Sequence, residues 1–233
     1  MLPVRDYLPA RRFPFVNYAI IAVNVAAFVL EEIGGGPDAW SNAFGLIPAQ
    51  MTSDPVGGAP YLFTHMFLHG SLMHIGGNML FLWIFGDNVE DALGHLRYAA
   101  FYLLSGLAAA SAQVLAGPHS QVPMVGASGA IAGVLGAYLL LYPRSPIAVI
   151  NPIPLFWLFW GLFIYLPAWF VLLEFFVVNL WSAMHPVRGE AGGVAFMAHV
   201  GGFVAGLILM PLLRSESAVD HDRWDRLARR RGG

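Results

Sequence analysis

Cysteine is absent from the 233 residues, and so is lysine. The first absence excludes disulfides, thiolate metal centres and cysteine nucleophiles. Charge is scarce as well: Asp, Glu, Lys and Arg together make up 11% of the chain, against about 25% in soluble domains. A chain this poor in charge cannot clothe itself in a solvated surface. What it has instead is 58% hydrophobic residues and a mean hydropathy of +0.64, which makes lipid its main solvent.

Apolar runs broken by Gly, Pro or charge fall near residues 14 to 33, 71 to 86, 96 to 116, 128 to 142, 166 to 182 and 195 to 213. Several reach or approach the ~20 residues a helix needs to cross a hydrocarbon core of about 30 Å. The expected fold is therefore all-α: a polytopic membrane protein of six transmembrane helices over 1–213, followed by a short basic cytoplasmic tail, 214–233. Arg11 and Arg12 precede the first run, yet no small-residue cleavage site follows Glu31 and Glu32, so it reads as a span and not a signal peptide.

Six crossings put both termini on one side. All 12 basic residues are arginines, and only Arg188 falls in a segment assigned outside. The positive-inside rule then places both termini in the cytoplasm, with a bacterial plasma membrane as the expected setting. Residues 155–181 would make a helix of about 40 Å, too long for one upright crossing. Pro167, favoured in a first helical turn, marks the start of the fifth span, and residues 147–165 are expected along the inner interface.

Chemistry concentrates in three segments. In VPMVGASGAIAGVLGAY, Ser128 stands at or near the first position of a helix that ends by Tyr142, only about 22 Å long. Anchored at the inner face by Tyr142, Pro143 and Arg144, such a helix begins several Å below the outer surface, which submerges Ser128. Ser128, Ala132 and Gly136 share one face, with Gly129 and Gly133 beside it; in AFMAHVGGFVAG, His199, Gly202 and Gly206 share another. Small faces let helices approach closely, and parity puts Ser128 and His199 at the same outer end. An imidazole within reach of the hydroxyl makes a base-activated nucleophile.

The third segment, HGSLMHIGGNMLFLWIFG, carries His74 and Asn78 on one face near its helix start. Acyl transfer at serine needs donors for an oxyanion, which these side chains and the Ser128 N–H can supply, aided by the dipole of a helix amino terminus. Plainer readings stand beside each: glycines that only pack helices, a serine that caps, a polar knot tying two helices. A histidine inside a span is costly and usually functional, which tilts the balance.

HGSLMHIGGN, GASGA and AHVGG, in that order, resemble the three signatures of the rhomboid family of intramembrane serine proteases, here of prokaryotic type. The resemblance runs from about Phe44 to Met210 and includes GDNVEDALGHLRYAAFYLL. It implies a serine endopeptidase with Ser128 as nucleophile, His199 as base, no acidic third member, and an oxyanion site of His74, Asn78 and Ser128. Its partners would be the lipid bilayer and single-pass or other transmembrane substrates. The alternative is a catalytically inactive rhomboid-like binder of membrane proteins, or, further off, a transporter. Two departures stand out: GAPYLFTH replaces the Trp-Arg pair many members carry in the first outer loop, and Ala132 replaces a Tyr that packs on the catalytic histidine. What orients His199 is thus left open.

No cofactor and no metal are expected. His65, His69 and His74 are spaced four and five apart, but no HExxH occurs and no carboxylate lies in their segment. His95, His119, His185 and His221 fall in or beside loops and read as solvated. Glu174 lies inside the fifth span, where a carboxylate is costly unless protonated or hydrogen-bonded. The tail DHDRWDRLARRRGG suits anionic lipid headgroups, not nucleic acid.

Overall fold

The computed structural model describes residues 1–151, 161–185 and 194–214. Its long helices coincide with the six apolar runs: α1 (Phe15–Ile33), α2 (Leu72–Phe81), which runs through a π turn (Leu82–Gly86) into α3 (Asp87–Leu93), then α4 (His95–Ala116), α5 (Ser128–Leu141), α6 (Ala168–Met184) and α7 (Phe196–Leu213). By length and composition α1, α4 and α7 can each cross a bilayer alone, while α5 and α6 are shorter apolar helices. The molecule is a helical integral membrane bundle. Large apolar side chains such as Val29, Leu104, Val177 and Ile208 stay exposed on it, where lipid and not water is the favourable neighbour.

α5 is the axis of the bundle. Eleven of its 14 residues are buried, and it packs on α7 and α4. Its glycines make this possible. A Cβ at Gly202 would sit on the Gly129 carbonyl oxygen, and one at Gly206 on that of Gly133, so no larger residue fits between α5 and α7 at this separation.

The other end of the bundle is tied by a polar seam. Pro14 precedes α1 and can offer its first turn no side-chain cap. The buried Glu90 of α3 supplies one instead, accepting from the Val16 and Asn17 N–H groups at 3.0 and 2.7 Å, which satisfies orphan donors and suits the helix dipole. Tyr98 donates to Asn17 Oδ1 at 2.9 Å. His95 is exposed, and its Nδ1 lies 2.5 Å from Glu90.

The same end holds a feature the all-α reading did not contain. β1 (Pro3–Asp6), β2 (Pro146–Ile150) and β3 (Phe163–Pro167) form an antiparallel sheet in the order β1-β2-β3. The ends of the expected interfacial segment 147–165 are therefore strands; residues 152–160 lie outside the described residues. Ile147 and Val149 are fully buried and join the helical core. Pro167 stands just before α6, which begins at Ala168, with the Ala168 and Trp169 N–H groups bonded to the Ser145 and Pro143 carbonyls at 2.8 Å. Arg188 and the tail beyond Arg214 lie outside the described residues.

Candidate active site

Ser128 is the first residue of α5 and follows a loop that only glycine can close. Gly126 has φ +120°, and a Cβ there would lie 2.7 Å from His74 Nε2. Its N–H donates to the His65 carbonyl at 2.8 Å, while Met124 and Leu46 exchange backbone bonds at 2.8 and 3.0 Å. The backbone before the serine is thus pinned on both sides.

His199 stands in the first turn of α7, 9% exposed. Its Nε2 lies 2.7 Å from Ser128 Oγ, a hydrogen-bond distance. The glycine contact between α5 and α7 brings the two side chains together, and the Ala198 N–H beside the histidine donates to Gln113 Oε1 on α4 at 3.2 Å.

His74 and Asn78 come to the same place. The Ser71 hydroxyl caps α2, accepting from the His74 N–H at 3.1 Å, so both side chains project from the first turns. With Gly126, Ser128 and His199 they line one cavity of about 470 Å³. Asn78 is 8% exposed, and its Nδ2 has no hydrogen-bond partner among the described residues. A buried amide donor without a partner in the serine's cavity is ready to donate to developing negative charge. All four residues singled out from the sequence are therefore gathered at one cavity.

The structure adds residues the sequence reading passed over. Asn179 of α6 places Oδ1 2.6 Å from His199 Nδ1, and its own Nδ2 donates to the Phe175 carbonyl at 2.8 Å. The Phe175 ring lies beside the imidazole, centroids 5.9 Å apart. Ala132, buried within α5, offers the histidine no ring; the neighbours come from α6 instead. The signal for Asn179 was there: an amide inside an apolar run has to be satisfied by something. Glu174, on the same helix, accepts from the Met1 amine at 3.0 and 3.2 Å.

His65 and His69 are buried, and burial holds both imidazoles down at about 4, so they are neutral at ordinary pH. A carboxylate from α1 does reach this segment, but at the backbone and not at a ring: Glu31 accepts from the His69 main-chain N–H at 3.1 Å. Among the described residues no group of three His, Cys, Asp or Glu side chains converges to hold a metal.

A helical membrane bundle with a serine and a histidine hydrogen-bonded in a cavity at one end defines the class of protein. Residues 58–216 match the family model described as the Rhomboid domain, and the chain belongs to the rhomboid family. It is 29% identical over 198 residues to Rhomboid protein 1, mitochondrial, of Saccharomyces cerevisiae, covering 82% of this chain and 51% of the yeast protein. It is 35% identical over 128 residues to Rhomboid protease GluP of Bacillus subtilis, 54% of this chain and 24% of that one. To Rhomboid-type serine protease 2 of Emericella nidulans it is 31% identical over 159 residues, 66% and 27% of the two chains. The chain thus spans about half the length, or less, of these relatives.

Proposed function

We propose that the protein is an intramembrane serine endopeptidase that cleaves transmembrane segments of other membrane proteins, with Ser128 as nucleophile and His199 as general base. The observation that carries this reading is the 2.7 Å contact between His199 Nε2 and Ser128 Oγ inside a cavity that also presents Asn78 Nδ2. The names of two relatives, a rhomboid protease and a rhomboid-type serine protease, support it.

On this reading His199 takes the Ser128 proton as Oγ attacks the scissile carbonyl, and the tetrahedral oxyanion is received by Asn78, His74 and the Ser128 N–H. The imidazolium then protonates the leaving amine. Water, deprotonated in turn by His199, releases the acyl group and restores the serine. Each step is proton transfer and acyl transfer, which serine and histidine perform without a cofactor. Submersion of the serine suits a substrate backbone that is itself within the membrane. The arginine asymmetry supports cytoplasmic termini, and a carboxyl-terminal reporter fusion active only inside the cell is the expected result.

The decisive assay incubates the purified protein with a single-span reporter beside Ser128→Ala. Cleavage by the wild type alone is expected; equal cleavage by both would end the assignment.

A further inference from the structure

Resting on the protease reading, we propose that Asn179 is the positioning residue of the site: it fixes the tautomer and ring orientation of His199, and so makes the base depend on how α6 is seated.

The Phe175 carbonyl can only accept, so the Asn179 atom bonded to it at 2.8 Å is the amide nitrogen. That fixes the flip of the side chain and leaves Oδ1 facing His199 Nδ1 at 2.6 Å. An amide oxygen can only accept, so Nδ1 carries the ring proton. In a neutral imidazole the other nitrogen is then a bare lone pair, and it faces Ser128 Oγ at 2.7 Å. One backbone carbonyl of α6 thereby sets the direction of three successive hydrogen bonds ending at the hydroxyl. When His199 gains a proton during attack, Nδ1–H still donates to Oδ1, and the amide dipole stabilises the cation without needing a buried carboxylate.

The placement is built and not incidental. Asn179 is 7% exposed and His199 9% exposed, and the Phe175 ring from the same helix stands beside the imidazole. Among the described residues, His74 and Ser128 are polar groups that share the cavity with the ring. Among the described residues no other side chain bonds to Nδ1. α6 itself packs chiefly on α7 and much less on α5, so the helix that aims the base is not part of the glycine-locked pair carrying the base and the nucleophile.

The test compares wild type, Asn179→Leu, Asn179→Asp and Ser128→Ala in micelles. It reads kcat and KM on a single-span reporter, labelling of Ser128 by a serine-reactive phosphonate, and the unfolding temperature. Asn179→Leu keeps the volume and loses the acceptor: kcat should fall on the order of a hundredfold, with KM within about twofold and labelling slowed in parallel. Asn179→Asp keeps an acceptor at the same place and should recover to within about tenfold of wild type. Should Asn179→Leu not fold, Asn179→Ala removes the same acceptor and carries the same expectation. Wild-type kcat and labelling in the variants lacking the acceptor, or Asn179→Asp as slow as Asn179→Leu at an unchanged unfolding temperature, would overturn the proposal. If wild type and Ser128→Ala cleave alike, the protease reading has failed and this proposal falls with it.

Discussion

The contact between α5 and α7 and the contact between α6 and α7 serve one histidine by opposite means. In the first, glycine faces bring two backbones so close that a single Cβ would strike a carbonyl oxygen. In the second, larger side chains meet: Phe176 against Phe203 at 5.0 Å between centroids, Phe175 against the imidazole, and the Asn179 bond. The glycine contact fixes where the Ser128 and His199 backbones are. The α6 contact decides how the ring is turned. Position in this site comes from steric closeness, orientation from one hydrogen bond.

Removing either reacting group should have the largest effect. Ser128→Ala and His199→Ala each take away the covalent route, with losses of up to about a millionfold in reporter cleavage, and neither should unfold the bundle. Asn78→Ala removes one oxyanion donor of several, so turnover should fall on the order of a hundredfold to a thousandfold and remain measurable. Gly202→Ala attacks the rigid contact directly. The added methyl has only the Gly129 carbonyl to displace, which predicts a loss of about 1–3 kcal/mol in stability together with reduced cleavage. Unchanged stability there would mean that α5 and α7 are not locked by their glycines.

The change expected to touch cleavage least lies at the opposite end of the bundle. Burial, with Asp87 nearby, pushes the Asp6 carboxyl up from 3.8 to about 7, even though it accepts from Tyr138 at 2.8 Å and Asn88 at 2.9 Å. The folded state therefore favours the protonated acid. The corresponding stability is fully present below pH 3.8 and is lost as the pH rises to about 7. Unfolding of wild type and Asp6→Asn, followed across that window, should show wild type losing ground with rising pH and no further divergence above it. Parallel curves would place Asp6 in water.

The two regions also differ in how far the sequence disclosed them. The α5 and α7 contact was legible because it is written in helical periodicity: Gly129 and Gly133 four apart, Gly202 and Gly206 four apart, with Ser128 and His199 in register with them. Asn179 was not found because its partner comes from another helix, and no spacing along α6 points to it. Glu31, which accepts from the His69 main-chain N–H, stands 38 residues before it on another helix, where no spacing within the histidine segment points to it. The β-sheet was missed because its strands have four or five residues and because β1 pairs with a strand some 140 residues away. Periodicity speaks for one element at a time; partnerships between elements need the fold.

The measurement that reaches the central claim most directly is the rate at which a serine-reactive phosphonate modifies Ser128 in wild type, Asn78→Ala and His199→Ala, with the modified peptide identified by mass. Labelling depends on activation of the hydroxyl and not on any substrate. The expected outcome is modification at Ser128 in the wild type, slower but complete modification in Asn78→Ala, and essentially none in His199→Ala. Labelling of His199→Ala at the wild-type rate, or of a serine other than Ser128, would contradict it.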